Sequence, residues 1–193
     1  MVHRLIVLEG IDGVGKSTLV DALVKRMNKE GAAARSFSSL GVTSLLTPEQ
    51  KKWAREEAPI EGSLALYGAS LLHKSAHVRT ALKESSVVMD RYVHSLLADH
   101  LARGLPERYA RQVLGLPYEE PTRVVHVRAD EPIRLARARE REGATADDLE
   151  STADTRTRLG RMLQYFNEHL AIELWTHCTV EENVDWLWNY VSS

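Results

Sequence analysis

Leu5-Ile6-Val7-Leu8-Glu9-Gly10-Ile11-Asp12-Gly13-Val14-Gly15-Lys16-Ser17-Thr18 joins an apolar run to a glycine-rich turn and then to a helical pattern. Leu5 to Leu8 is continuously apolar, the signature of a strand buried on both faces. Leu19, Leu23 and Met27 follow four residues apart, and Gly31 is placed to cap the helix they define. Between strand and helix, Gly10 to Ser17 spells G-x-x-x-x-G-K-[ST]. A random chain of this length shows that pattern on the order of once in a hundred times or less, and the flanking strand and helix are the setting it requires. Glycines let backbone N–H groups turn inward around phosphates, and the helix N-terminus adds positive potential. Lys16 reaches the outer phosphates and Ser17 offers its hydroxyl to Mg²⁺. Gly10, Gly13, Val14, Gly15, Lys16, Ser17 and Thr18 are therefore the candidate ATP-binding residues. The motif specifies a nucleoside triphosphate with Mg²⁺ and leaves the acceptor unnamed.

Working outward, Ala33 to Ser38, Val87 to Met89 and Val124 to Val127 read as further strands separated by helical stretches, which predicts an α/β fold with a parallel sheet. The longest helix is expected from about Glu61 to Lys83, and another begins at Glu131-Pro132, where proline suits the first turn. Thr179-Val180-Glu181-Glu182 reads as a capping box. It opens a last helix whose Val184, Leu187, Trp188 and Val191 share one face, which assigns its tryptophans to the core.

The 193 residues carry no repeat, no low-complexity stretch and no Gly/Ser linker, so residues 1–193 read as a single domain. Apolar residues make up 44% and charged residues 27%, which excludes disordered, collagen-like and disulfide-stapled classes. Lys plus Arg number 25 against 27 acids, a formal charge of -2 that gives no global pull toward nucleic acid or membrane. The single cysteine, Cys178, cannot form an internal disulfide and reads as a small buried hydrophobe. MVHRLIVLEG has too short an apolar run for a signal peptide or spanning helix, so a cytoplasmic setting is expected.

Val87-Val88-Met89-Asp90-Arg91-Tyr92 sets an acid and a base at the C-terminal end of a buried strand, the edge where open α/β sheets bind ligands. Asp90 suits either holding water on Mg²⁺ or accepting an acceptor's proton, and Arg91 suits gripping a phosphate; a surface ion pair has the same spelling. Taken together, Glu9 to Thr18, then Asp90-Arg91-Tyr92-Val93-His94-Ser95, then an arginine-rich helix resemble the thymidylate kinase family, from residue 4 to the closing helix. The resemblance implies a three-layer P-loop NTPase fold with a five-stranded parallel sheet flanked by helices. It also implies ATP and Mg²⁺ as the donor system, a nucleoside monophosphate as acceptor, and a homodimer. By that resemblance Lys16 stabilises the transferring phosphoryl group, Asp12 approaches the acceptor sugar, and Arg91 binds the acceptor phosphate.

Arg134, Arg137, Arg139 and Arg141 lie in one helical stretch, and helical spacing puts 134, 137 and 141 on one face. The variable loop positions Ile11, Asp12, Gly13 and Val14 hold no arginine, so a lid at about 134–154 would have to deliver one, as in some thymidylate kinases. Arg137, Arg139 and Arg141 are the candidates. The acceptor half departs from the family. The Phe37-Ser38-Ser39-Leu40-Gly41-Val42-Thr43 loop lacks the usual arginine; Ser70 falls near a base-stacking aromatic, Lys74 near an arginine, and Asp99-His100 where a Tyr-Gln pair is usual. Asp12, Phe37, Tyr67, Ser70, Lys74, Arg91, Ser95, Asp99 and His100 are the candidate acceptor residues, with Tyr67 suited to packing or to stacking on a base.

These features support an ATP-dependent nucleotide kinase acting on dTMP or a related or modified pyrimidine nucleotide. Two other readings use the same residues: a nucleoside kinase with Asp90 as base toward a 5′-hydroxyl, and a non-catalytic ATP-binding protein.

Overall fold

The structure, a computed structural model, describes all residues except 1, 41, 43 and 143–152, and describes residues 39, 138, 139, 141, 142 and 153 without their side chains. Five strands make one parallel sheet: β1 (Leu5–Glu9), β2 (Ala34–Ser36), β3 (Ser86–Asp90), β4 (Arg123–Arg128) and β5 (Glu173–Trp175), in the order β2-β3-β1-β4-β5. Helices α1 (Lys16–Lys29), α2 (Pro48–Glu56), α3 (Ile60–Ala81), α4 (Val93–Ala102), α5 (Glu107–Leu114), α6 (Glu131–Glu142), α7 (Ala153–His169) and α8 (Val180–Ser192) flank it.

The central strand, β1, is buried at every position, as its unbroken apolar run requires in a sheet covered on both faces. Gly15, at φ 94°, turns the chain from the loop into α1, and α1 presents Leu19, Val20, Leu23 and Met27 to the core. Its end is a Schellman motif: the Gly31 N–H donates to the Asn28 carbonyl at 3.1 Å and the Ala32 N–H to the Met27 carbonyl at 2.9 Å. Parallel register pairs Leu8 with Asp90, so the loops leaving β1 and β3 emerge side by side at the C-terminal edge of the sheet. That juxtaposition builds the site.

The second strand is shorter than its expected span, because Phe37–Leu40 forms a 3₁₀ turn. The third and fourth run slightly longer, and the long helix occupies Ile60–Ala81. The capping box forms as expected, with Glu182 N–H donating to Thr179 Oγ1 at 3.2 Å and the Thr179 N–H returning to Glu182 at 2.9 Å. The tryptophans divide: Trp188 packs against the core, whereas Trp186 is 40% exposed and stacks on Tyr190. Cys178 is not the buried hydrophobe expected of it; it is exposed, because it precedes the cap of α8 and faces open space beside the loop. Among the described residues no helix is long and apolar enough to cross a membrane.

Histidines held neutral by burial bear on pH stability. His126, fully buried on β4, stands 3.6 Å from the Glu173 carboxylate, too far for a hydrogen bond, and neither ring nitrogen has a partner. Burial, and then the charge of Arg128, lower its pKa to about 4; burial, and then His169, lower that of His94 to about 4. The unfolded chain, with histidine pKa values near ~6.5, binds these protons first. Stability contributed by the neutral rings is therefore full above about pH 6.5 and falls as pH drops toward 4. Urea unfolding between pH 7 and pH 4.5 should lose stability less steeply in His126→Phe than in the parent chain; equal slopes would contradict this account.

Candidate functional site

Gly10 and Gly13 are glycines for steric reasons. A Cβ at Gly10 would stand 2.4 Å from the Val127 carbonyl oxygen, and one at Gly13 2.6 Å from that of Arg134, both at positive φ. No side chain fits either gap. The loop thus rests directly on β4 and α6, and its far side opens on a cavity of about 440 Å³. Asp12, Gly13, Gly15, Lys16, Ser17 and Thr18 line that cavity, with Asp90, Arg137 and Thr176 opposite. Gly10 and Val14 do not line it: Gly10 packs on Val127, and the Val14 side chain belongs to the core while its carbonyl accepts from Thr176 Oγ1 at 3.0 Å.

Lys16 is 5% exposed and donates to the Ile11 carbonyl at 2.7 Å, with Asp90 Oδ1 at 3.9 Å. Burial, reinforced by the Arg91 charge, lowers its pKa to about 8 against the pull of Asp90 and Asp12. A polyanion beside it would reverse that shift, since an opposite charge favours the ammonium form. Ser17 Oγ donates to Asp90 Oδ2 at 2.5 Å, whereas Asp90 Oδ1 is buried and accepts no hydrogen bond. A buried, unsatisfied carboxylate oxygen next to a serine hydroxyl fits a hydrated Mg²⁺, whose hard oxygen ligands include water.

Arg91 has φ 65°, the one positive φ outside glycine among the described residues. Such a conformation costs on the order of 1–3 kcal/mol and persists only where its surroundings impose it. Here the fully buried Glu9, which ends β1, imposes it. Glu9 accepts from the Tyr92 N–H at 2.9 Å and from Ser95 Oγ, while the Arg91 N–H donates to the Leu8 carbonyl at 3.0 Å. Burial raises the Glu9 pKa despite the bonds from Ser95 and Tyr92. The Arg91 guanidinium then donates to Asp12 at 2.8 Å and to Ser95 Oγ at 3.3 Å, facing a second cavity.

That second cavity, of about 320 Å³, gathers Asp12, Tyr67, Ser70, Lys74, Arg91, Ser95, Asp99 and His100 from the loop, α3 and α4. Of the candidate acceptor residues, Phe37 alone does not line it; its ring lies 5.9 Å from the Lys74 ammonium. His100 lines the wall but does not present free ring nitrogens. Nδ1–H donates to the Leu96 carbonyl at 2.8 Å, so Nε2 accepts from Ser63 Oγ at 3.0 Å, and burial lowers the ring's pKa. Tyr67 meets His100 edge to face, with centroids 5.9 Å apart. Asp99 is likewise occupied, lying 3.2 Å from Arg158 and 3.7 Å from Arg103. Arg55, Arg103 and Arg158, which line the same cavity, carry no motif, and their convergence from α2, the C-cap of α4 and α7 was not visible in the sequence.

The arginines of α6 separate. Arg134 is 5% exposed beneath Gly13, whereas Arg137 donates to Thr176 Oγ1 at 2.9 Å, to the Thr176 carbonyl at 3.2 Å and to the Val14 carbonyl at 3.4 Å. Thr176, which follows β5, is a site residue that no sequence motif marks. The Arg139 and Arg141 side chains lie outside the described residues, as does the expected lid tip.

A glycine-rich anion loop, its buried lysine and an adjoining serine–carboxylate pair define a P-loop nucleotide-binding protein. A family profile described as AAA domain matches residues 6–158. The probable thymidylate kinase of Pyrococcus horikoshii is 34% identical over 153 residues, a match covering 64% of this chain and 70% of that protein. The thymidylate kinase of Caenorhabditis elegans is 32% identical over 126 residues, 58% of each chain. The probable thymidylate kinase of Methanococcus maripaludis is 26% identical over 107 residues, 55% of this chain and 51% of that one. The chain thus spans little more than half the length of several relatives it matches. It belongs to the thymidylate kinase-like family of P-loop proteins.

With no nucleotide bound, Lys16 should titrate near pH 8, and competitive acetylation of the native protein followed by peptide mapping reads its midpoint directly. A midpoint near that of an exposed lysine would contradict the desolvation described here.

Proposed function

We propose that the protein is a nucleotide kinase that moves the γ-phosphoryl group of ATP, with Mg²⁺, to the phosphate of a pyrimidine nucleoside monophosphate, dTMP or a related or modified one. The observation that carries this reading is the sharing of Asp12 by two cavities, one walled by Lys16 and Asp90 and the other by Lys74 and Arg91. Cations stand on both sides of the loop, as an in-line transfer between two phosphates requires.

On this reading the loop backbone around Gly13 and Gly15, with Thr18, holds the ATP phosphates; Gly10 and Val14 fix the loop's path. Lys16 neutralises charge on the transferring group. Ser17 and Asp90 would hold Mg²⁺, partly through water, and the ion supplies further charge neutralisation at the outer phosphates. Arg137, with Arg139 and Arg141 from the same helix, completes the clamp on the equatorial oxygens. Arg91 and Lys74 bind the acceptor phosphate, Asp12 faces the acceptor sugar, and Tyr67, Ser70, Asp99 and His100 shape the base end, with Phe37 backing Lys74 and Ser95 orienting Arg91. Among the groups facing both cavities, phosphoryl transfer asks mainly for position and positive charge. The family resemblance extends the reading to a homodimer, and length, composition and cysteine usage extend it to a single cytoplasmic domain with a lid at about 134–154.

Asp90 lines the donor cavity and not the acceptor cavity, which weighs against the alternative in which it deprotonates a nucleoside 5′-hydroxyl. A protein that merely binds ATP has no need of the second cationic cavity.

The test is ADP release with ATP and Mg²⁺ across pyrimidine monophosphates and their nucleosides. Turnover on dTMP or a 5-substituted relative is expected. Lys16→Ala should lower kcat by about a thousandfold or more while leaving the thermal transition in place, since the lost interaction acts on the transition state. Turnover on nucleosides alone would overturn the reading, and so would near-normal turnover in Lys16→Ala.

A further inference from the structure

The acceptor cavity is more cationic than one phosphate requires. Arg55, Lys74, Arg91, Arg103 and Arg158 line it against the carboxylates of Asp12 and Asp99. The charges fall into two groups. At the loop end, Arg91 pairs with Asp12 at 2.8 Å, and burial, then the charge of Lys51, lower the pKa of Lys74 against the carboxylates of Asp90 and Glu9. Lys74 makes no ion pair among the described residues, so this end alone offers an uncompensated cation and a guanidinium to a single phosphate.

At the far end Arg103 and Arg158 share one carboxylate, Asp99, and Arg55 lines the same cavity. Arg103 is fixed: it donates to Ser63 Oγ at 3.3 Å and to the Arg55 carbonyl at 3.2 Å, beside Asp99 at 3.7 Å. Arg158 holds Asp99 through one nitrogen at 3.2 Å, and this is its single ion pair among the described residues. The Arg55 guanidinium has neither an ion pair nor a hydrogen bond among them. Guanidinium groups cannot lose their charge, so the far end keeps excess positive charge at any working pH. His100 adds no acceptor there, since both of its ring nitrogens are engaged within the protein. A neutral base such as thymine would leave these planar forks facing a ligand with no anion to receive them.

We propose that the far end of the cavity is an anion subsite: the acceptor carries, besides its 5′-phosphate, a second acidic group that Arg158 and Arg55 receive, with Arg103 as the fixed backing. The proposal rests on the reading of this cavity as the acceptor site and narrows its substrate class to nucleotides with acidic groups at both ends. A carboxylate on the pyrimidine ring and a phosphate on the sugar 3′-oxygen present the same chemistry, since each accepts two parallel N–H donors from a guanidinium.

The experiment is calorimetric titration of the full chain at low salt with three probes: dUMP, 5-carboxy-dUMP, and 2′-deoxyuridine 3′,5′-bisphosphate. At least one doubly acidic probe should bind about tenfold or more tighter than dUMP, in keeping with a charge-assisted bidentate contact. The gain over dUMP, taken within each variant, should shrink to within about threefold in Arg158→Gln or Arg55→Gln, both surface-reaching side chains whose loss leaves the core intact. A gain for the carboxylate alone puts the second acid on the base; a gain for the bisphosphate alone puts it on the sugar. Equal affinities for all three probes, binding by none of them, or a gain untouched in both variants would overturn the proposal. ADP release is followed separately: binding with this preference but no turnover on any probe would sink the kinase reading and leave the subsite standing.

Discussion

The carboxyl group of Glu9 is the joint on which the site depends. It lies at the end of the central strand with no solvent exposure and accepts from the Tyr92 backbone and the Ser95 hydroxyl, so the loop after β1 and the turn after β3 are tied at one point. Burying a carboxyl without partners costs several kcal/mol, and this one is held by two donors from the neighbouring turn. The tie has a geometric consequence. Arg91, forced to φ 65° between Asp90 and Tyr92, sends its side chain toward Asp12 while Asp90 points to Ser17. Consecutive residues thereby serve the two cavities on either side of the phosphate loop.

The opposite wall of the loop is set by contact rather than by charge. Gly13 rests against the Arg134 backbone and Gly10 against Val127, so β4 and the first turns of α6 fix the loop's depth. Arg137, a turn further along α6, lies against Val14 and Thr176. Thr176 in turn bonds the carbonyls of Val14 and Arg128, which makes the end of β5 a bracket between loop, sheet and arginine helix. Rigid placement of donors before any ligand arrives is what makes such sites effective, because reorganisation is not needed when charge develops.

The donor half of the site was legible in the sequence because backbone geometry spells it. A loop that wraps phosphate needs glycines at fixed offsets, a lysine and a hydroxyl at its end, and a buried strand before it, all within one short stretch. The C-terminal strand position of Asp90 and Arg91 was legible for the same reason. Glu9, by contrast, was quoted only as part of a motif, and its role emerged with the register that sets β1 beside β3. Thr176 follows a strand of three residues, too short to announce itself by periodicity. Phe37 was assigned to the acceptor wall from its place after β2, but the 3₁₀ turn there directs its ring to Lys74 instead. Cys178 was read by residue type, and the open space beside the α8 cap decides otherwise.

The acceptor half was less legible because no single segment encodes it. Its walls come from α2, α3, α4 and α7, and each contributes one or two side chains whose neighbours in sequence face elsewhere. Arg55 and Arg158 belong to helices rich in charged residues, where an arginine toward solvent and one toward a cavity are spelled alike. What separates them is the convergence of three arginines on one cavity, a property of helix packing. This division of labour makes the phosphate loop easier to read from the sequence than the second cavity. The loop cannot vary without losing its backbone fit, whereas helix-borne side chains around the second cavity can be exchanged while β1, β3 and the Glu9 joint stay as they are. A cavity rebuilt in that way keeps its position relative to the loop, so a change in the second ligand leaves the geometry of the first intact.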